Sequence, residues 1–400
     1  MAGLQGEVGP LMRRGPRPLL LHLMHAMQKS TVWPAMSPSS NAGLPGWNPA
    51  KPVPSPGWKV AEPPADALRE NAGLIAGIAA YRRHPYRRDL PDPPAIWQEG
   101  GSRVLDYALP GATGLPVLFI PSLVNRAYVL DLAEGASMMR FLAAQGLRIR
   151  LLDWGWPGEI ERGFGLTDYI VGRLERAVAA AGESVALIGY CMGGLLTIAL
   201  AQRRPDLVAA LGLLATPWDF HAGDAAQARE FAARLPLLEP ILGFGRTLPV
   251  DLLQTLFALL DPEGIARKYS GFGRIDPASP RARRFVALED WLNDGIPLAA
   301  PVARECLTLW YGANAPARAQ WRVAGQVVMP QHLDLPAFVA IPAQDRIVPP
   351  ESARPLGALL RHASVLEPKA GHIGMVAGSS AEAALWLPLL AWIRGLETGR

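Results

Sequence analysis

Residues 184–203, SVALIGYCMGGLLTIALAQR, decide the fold. Val185-Ala186-Leu187-Ile188 is a short continuous apolar run, the pattern of a strand buried on both faces. Gly189-Tyr190-Cys191-Met192-Gly193-Gly194 follows, and then a run suited to a helix. Strand, glycine turn with one nucleophilic side chain, helix: this is the order of a nucleophile elbow, with a thiol in the nucleophile position. Such a turn needs small residues, because its backbone is strained and the helix passes close to the strand. Gly189 and Gly193 stand two positions either side of Cys191, where that crowding arises. A thiol at a helix start meets free N–H groups and the positive end of the helix dipole, both of which favour a thiolate. Taken alone, the stretch also fits a glycine-flanked core cysteine, so the flanking sequence has to decide.

Upstream, the residues 65–83 read as a helix with Leu68, Ile75 and Ile78 on one side, ended by His84-Pro85. Val104-Leu105-Asp106-Tyr107 reads as an early strand, and residues 110–116 as a turn. Val117-Leu118-Phe119-Ile120 is a continuous apolar run ending in Pro121. A helix near 135–144, a strand over 147–152 and a helix over 166–181 lead into the elbow. Downstream, Val208–Leu214 is the next strand. The strand–helix rhythm then breaks for about a hundred residues, rich in aromatics and proline, and resumes at 336–342. Residues 363–366 form a last strand and 381–394 a last helix. Alternating strands and helices predict an α/β fold with a mostly parallel sheet, helices on both faces and an inserted helical cap. The expected division is an N-terminal extension over 1–64, core over 65–216, cap over 217–335 and core again over 336–400.

A thiol nucleophile needs a base, and the base needs an orienting carboxylate. Asp345 follows the strand at 336–342, and His372, in Gly371-His372-Ile373-Gly374, follows the strand at 363–366. Both are expected in loops past the C-terminal ends of parallel strands, the edge where open α/β sheets build their sites and where Cys191 lies. Nucleophile, acid, histidine is the chain order of the α/β-hydrolase fold. Cys191, Asp345 and His372 are therefore the expected catalytic set. The oxyanion hole is expected from the N–H of Met192 and a second N–H in the loop Pro121-Ser122-Leu123-Val124-Asn125, with Val124 preferred over Leu123. His84, His221, His332 and His362 lack such a setting and read as structural.

Composition narrows the classes. Half of the 400 residues are hydrophobic and the net charge is +4, carried mostly by scattered arginines, so nothing points to nucleic acid. The only cysteines, Cys191 and Cys306, form no zinc or haem pattern, and their scarcity fits a reducing cytoplasm. No uncharged apolar run is long enough for a transmembrane helix. Residues 19–29 read as a short amphipathic helix, not a signal peptide, able to lie on a partner, a lipid-like surface or its own domain. The stretch from Pro34 to Pro64, with Trp33, Trp47 and Trp58 nearby or within it, cannot pack alone.

At these motifs the chain resembles the polyhydroxyalkanoate synthase family. The resemblance rests on Ile120-Pro121-Ser122-Leu123-Val124-Asn125 with Tyr128-Val129-Leu130-Asp131-Leu132, on Asp153-Trp154-Gly155, on Gly189-Tyr190-Cys191-Met192-Gly193-Gly194 and on Gly371-His372-Ile373-Gly374. It extends through Phe257-Ala258-Leu259-Leu260-Asp261-Pro262 and Asp290-Trp291-Leu292. It implies a Cys191–His372–Asp345 triad that takes 3-hydroxyacyl groups from CoA, with acyl-CoA as substrate and no cofactor, and adds them to a growing polyester. It also implies a cytoplasmic enzyme at polymer granules. The chain's length is nearer the family's shorter type, which works with a second synthase subunit; a homodimer is the other arrangement considered. A depolymerase, thioesterase or esterase with the same triad is the alternative.

Overall fold

The apolar runs pair into one eight-stranded sheet: β1 (Ala95–Glu99), β2 (Ser102–Asp106), β3 (Thr113–Ile120), β4 (Leu147–Asp153), β5 (Val185–Tyr190), β6 (Val208–Leu214), β7 (Ala337–Ala340) and β8 (Ala363–Leu366). Their order across the sheet is β1-β2-β4-β3-β5-β6-β7-β8. β2 pairs antiparallel with both neighbours, and every other pair is parallel. The computed structural model describes residues 13, 15–30, 65–258 and 263–398. The proline-rich segment with Trp33, Trp47 and Trp58, and residues 259–262 of one cap motif, lie outside the described residues.

The central strands are apolar at every position because both faces are covered. Leu118, Ile120, Leu187, Leu211, Leu213 and Val339 face one buried cluster, which includes the helix Met192–Arg203. Val117, Phe119, Ala186, Ile188, Ala210, Phe338 and Ala340 face the other, closed by Met138–Ala144 and the C-terminal helix Leu387–Thr398. The residues alternate between faces, as the pleat dictates. β1 escaped the sequence reading for the same reason in reverse: it is an edge strand whose side chains are mostly exposed, so no apolar run marks it.

Between β6 and β7 the chain forms helices and short strand pairs, including Leu235–Gly245, Val250–Ala258, Gly264–Phe272, Pro280–Asn293, Ala300–Glu305 and a π-helix Cys306–Gly312. The helix Ala65–Arg83 forms over the expected residues, but its buried face is Leu74, Ile78 and Tyr81, while Ile75 is 58% exposed. The spacing i, i+4, i+7 carries the stripe toward the cap helix Gly264–Phe272, and Ile75 lies off it. The two helices meet closely: a Cβ on Gly77 would stand 1.9 Å from the Tyr269 carbonyl oxygen. The amphipathic helix Leu19–Ser30 lies on its own chain, with Leu19 and Leu23 packed against this cluster.

Candidate active site

β5 runs straight into the elbow. Cys191 has φ 56° and ψ −128°, a conformation a side-chain-bearing residue adopts only when its surroundings enforce it. Here they do. Its N–H donates to the Leu214 carbonyl at the end of β6 (2.8 Å), and its carbonyl accepts from Gly194 N–H (3.0 Å). A Cβ on Gly189 would stand 2.4 Å from Gly194 Cα, and one on Gly193 would stand 2.1 Å from the Ile120 carbonyl oxygen. Gly194 is a third obligatory glycine, since a Cβ there would meet Thr216 Oγ1 at 1.9 Å. The turn thus presents a half-buried, unbridged thiol at the head of Met192–Arg203.

The expected partners converge on it. Asp345 lies in the loop after β7, and His372 is the first residue of a short helix, His372–Ala377, after β8. Asp345 Oδ2 stands 2.6 Å from His372 Nδ1, and both residues are buried. The other carboxylate oxygen accepts the N–H groups of Ile347 (2.8 Å) and Val348 (2.9 Å), so the carboxylate cannot rotate away. The Tyr190 hydroxyl donates to the His372 carbonyl (3.3 Å), and its ring lies 5.1 Å from the imidazole. With Nδ1 turned to Asp345, Nε2 is the nitrogen left to interact with the Cys191 sulfur. Burial pulls the His372 pKa down, but the negative charge of Cys191 and the hydrogen bond to Asp345 more than offset it, raising the pKa to about 10. The site holds a protonated imidazole beside the nucleophile, ready to give its proton to a leaving group.

The loop after β3 is the second wall. Trp154 Nε1 donates to the Pro121 carbonyl (3.0 Å). Asp153 accepts from Gly155 N–H (3.1 Å) and from the Arg103 guanidinium (3.1 Å). Gly155 has φ 67°, and a Cβ there would stand 1.9 Å from the Gly101 carbonyl oxygen. The Asp-Trp-Gly triplet therefore braces this loop, a role its sequence alone did not reveal. From the cap, Ile296 N–H donates to the Val124 carbonyl (3.3 Å), and Trp291 Nε1 to the Arg126 carbonyl (2.7 Å). Met192 opens its helix, where N–H groups lack an intrahelical partner. The Val124 N–H donates to Ser122 Oγ (3.2 Å).

A sheet ordered in this way, with nucleophile, acid and histidine gathered at one edge in that sequence, is the frame of one fold family, and the model of that family, described as the alpha/beta hydrolase fold, matches residues 116–378. The chain belongs to the α/β-hydrolase family. Within it, the chain is similar to the poly(3-hydroxyalkanoate) polymerase subunit PhaC of Haloferax mediterranei, at 28% identity over 76% of this chain and 64% of that protein. The subunit of the same name from Allochromatium vinosum is 28% identical over 71% of this chain and 82% of that one. The chain thus spans 64% of the Haloferax relative's length, and 62% of that of a further relative from Haloarcula marismortui. Among solved structures, the monoacylglycerol lipase of Paleococcus ferrophilus aligns over 73% of this chain and 98% of its own, at 16% identity and a TM-score of 0.48.

Three of the other histidines of the α/β-hydrolase chain make contacts outside the site. His84 contacts the Pro277 carbonyl (2.8 Å), His221 the Tyr311 carbonyl (2.8 Å) and His362 the exposed Asp334 carboxylate (2.9 Å). No helix among the described residues is long and apolar enough to cross a membrane.

Proposed function

We propose that this protein is an acyltransferase that moves 3-hydroxyacyl groups from CoA, through an acyl-cysteine, onto a growing polyester. The observation that carries the reading is the half-buried thiol of Cys191 at the strained elbow, beside a hydrogen-bonded His372–Asp345 pair. The similarity to chains named as polyhydroxyalkanoate polymerase subunits supports it. In the first half-reaction the Cys191 thiolate attacks the thioester carbonyl. Met192 N–H, with Val124 N–H as the second donor, receives the oxyanion. Val124 must then share or release its bond to Ser122. The intermediate collapses, the C–S bond to CoA breaks, and the departing thiolate takes the proton from His372. Exchange of one thioester for another keeps the acyl group activated.

In the second half-reaction His372, now neutral, removes a proton from the hydroxyl of a chain end or monomer. That oxygen attacks the acyl-cysteine, the ester forms, and Cys191 leaves as a thiolate beside the imidazolium. Asp345 keeps Nδ1 protonated throughout and so leaves Nε2 to handle the proton. The reading needs no cofactor. It places the enzyme in the cytoplasm at polymer granules, working with a second synthase subunit or as a homodimer.

If water enters in place of the hydroxyl, the same residues act as a thioesterase, or as a depolymerase or esterase on polymer. The deciding experiment measures CoA release and product size from 3-hydroxyacyl-CoAs of several lengths, with Cys191→Ala as control. Polymer formation dependent on Cys191 is the expected result. CoA release that yields only free hydroxy acid would sink the polymerase reading.

A further inference from the structure

His372 opens a helix of only six residues, His372–Ala377. So short a helix does not hold its own place, and ties from outside set where the imidazole stands. Asp345 Oδ2 holds the ring at Nδ1 (2.6 Å), and the Trp386 indole N–H donates to the Val376 carbonyl (3.0 Å). A further tie ends on His372 itself: the Tyr190 hydroxyl donates to its carbonyl (3.3 Å). The Tyr190 ring adds packing, with its centroid 5.1 Å from that of the imidazole and the planes inclined at 33°. Of these ties, this one starts from the elbow. Tyr190 closes β5, pairs in register with Leu214 of β6, and is joined by one peptide bond to Cys191, whose N–H is bonded to the Leu214 carbonyl (2.8 Å). It is also the one hydroxyl in the strand Val185–Tyr190, which is otherwise apolar and buried throughout. A phenylalanine would fill the same place in the core, so packing alone does not call for that hydroxyl. Burial pushes the Tyr190 hydroxyl well above its ordinary pKa, so it keeps its proton and stays a donor.

We propose that Tyr190 is a positioning residue for acyl transfer: it ties the backbone of His372 to the backbone of the elbow, so that the imidazole keeps one place relative to Cys191 through both half-reactions. This rests on the acyl-transfer reading and names what holds its base in register. Asp345 anchors one ring nitrogen but leaves the ring able to swing about that bond. A second anchor, on the main chain of the same residue, removes the swing. The proposed reaction needs this more than a single proton transfer would, because His372 must serve the departing CoA thiolate first and the incoming hydroxyl second. Both transfers require the nitrogen within hydrogen-bond reach and in line, and small misplacements are costly in rate.

The test uses Tyr190→Phe, which keeps the ring and removes the hydroxyl. CoA release from 3-hydroxybutyryl-CoA by the full chain is followed against substrate concentration and against pH. The expected result is a kcat about tenfold lower with KM within about twofold of the wild type. The alkaline limb, which His372 sets at about 10 in the intact site, moves to lower pH in the variant. The sign follows from the contacts: an imidazole free to swing meets Cys191 and Asp345 less well, and these are the groups that hold its pKa up. NMR titration of the His372 ring reads the same shift without turnover. A variant that is merely less folded loses kcat and leaves that titration where it was. An unchanged kcat, or a lower kcat with an unmoved His372 titration, overturns the positioning role and leaves acyl transfer standing. No Cys191-dependent CoA release from the wild type overturns both.

Discussion

The sheet edge and the cap are held together by different means. At the edge, the elbow is determined by close contacts at its glycines and by main-chain hydrogen bonds. Three glycines each sit where a methyl group would fall within 2.4 Å of another atom, and Cys191 is held at positive φ by main-chain hydrogen bonds to strand ends. In the cap, Tyr311, Phe220, Phe231 and Trp310 are held by ring packing, at centroid distances of 4.9 to 5.5 Å. Backbone crowding tolerates almost no substitution. Ring packing is graded, since a smaller side chain loses area without breaking the chain path. On the proposed function, the rigid edge carries the chemistry, and the cap can vary without disturbing it.

Breaking the edge should cost most. Cys191→Ala is expected to lower acyl transfer by more than about 10⁴-fold, as removal of a triad nucleophile does, read as CoA release. Its second consequence separates charge from position. With the thiolate gone, one group that raises the His372 pKa is lost, so the imidazole should titrate well below its value of about 10 in the intact site. NMR titration of the His372 ring checks this; an unchanged value would mean that Asp345 alone holds the proton. The sign in the intact enzyme follows directly. Nε2 carries its proton at neutral pH and loses it as pH rises through about 10, so acylation by CoA thioesters should decline across that limb.

Asp345→Asn should cost about a thousandfold in kcat with the fold retained, because the amide can turn its NH₂ toward Nδ1 and stabilise the wrong tautomer. A circular-dichroism spectrum and melting curve like those of the wild type, beside the lost turnover, is the expected pair of results. Trp154→Phe removes only the N–H that holds the Pro121 carbonyl. About a tenfold loss in kcat with little change in KM is expected if the loop supplies an oxyanion donor. An unchanged kcat would place the second donor elsewhere. The smallest effect belongs to the cap. Phe220→Leu, which loosens the packing on Trp310 and Tyr311, should cost about 1 kcal/mol in urea denaturation and only about threefold in turnover.

Much of the edge was legible because its constraints are local. An apolar run, glycines at fixed offsets and a nucleophile between them leave few backbone solutions. Asp345 and His372 were found by their position just past two further apolar runs. What was missed was missed for reasons that can be named. β1 lies at the sheet's exposed edge and leaves no apolar signature. Ile75 was assigned to the wrong face because the buried stripe of its helix is set by the cap helix it meets, whose position no local spacing encodes. The indole of Trp154 reaches a carbonyl 33 residues earlier in the chain.

Sequence by itself determined seven of the eight strands, the elbow and the gathering of Cys191, Asp345 and His372 at one sheet edge, because parallel strands bring their C-terminal ends to one edge whatever lies between them. Tertiary structure alone decided the protonation of His372, since it depends on burial and on two groups brought to it from loops 181 and 27 residues away. Hydrogen bonds at that range follow from packing, and packing is a property of the whole chain.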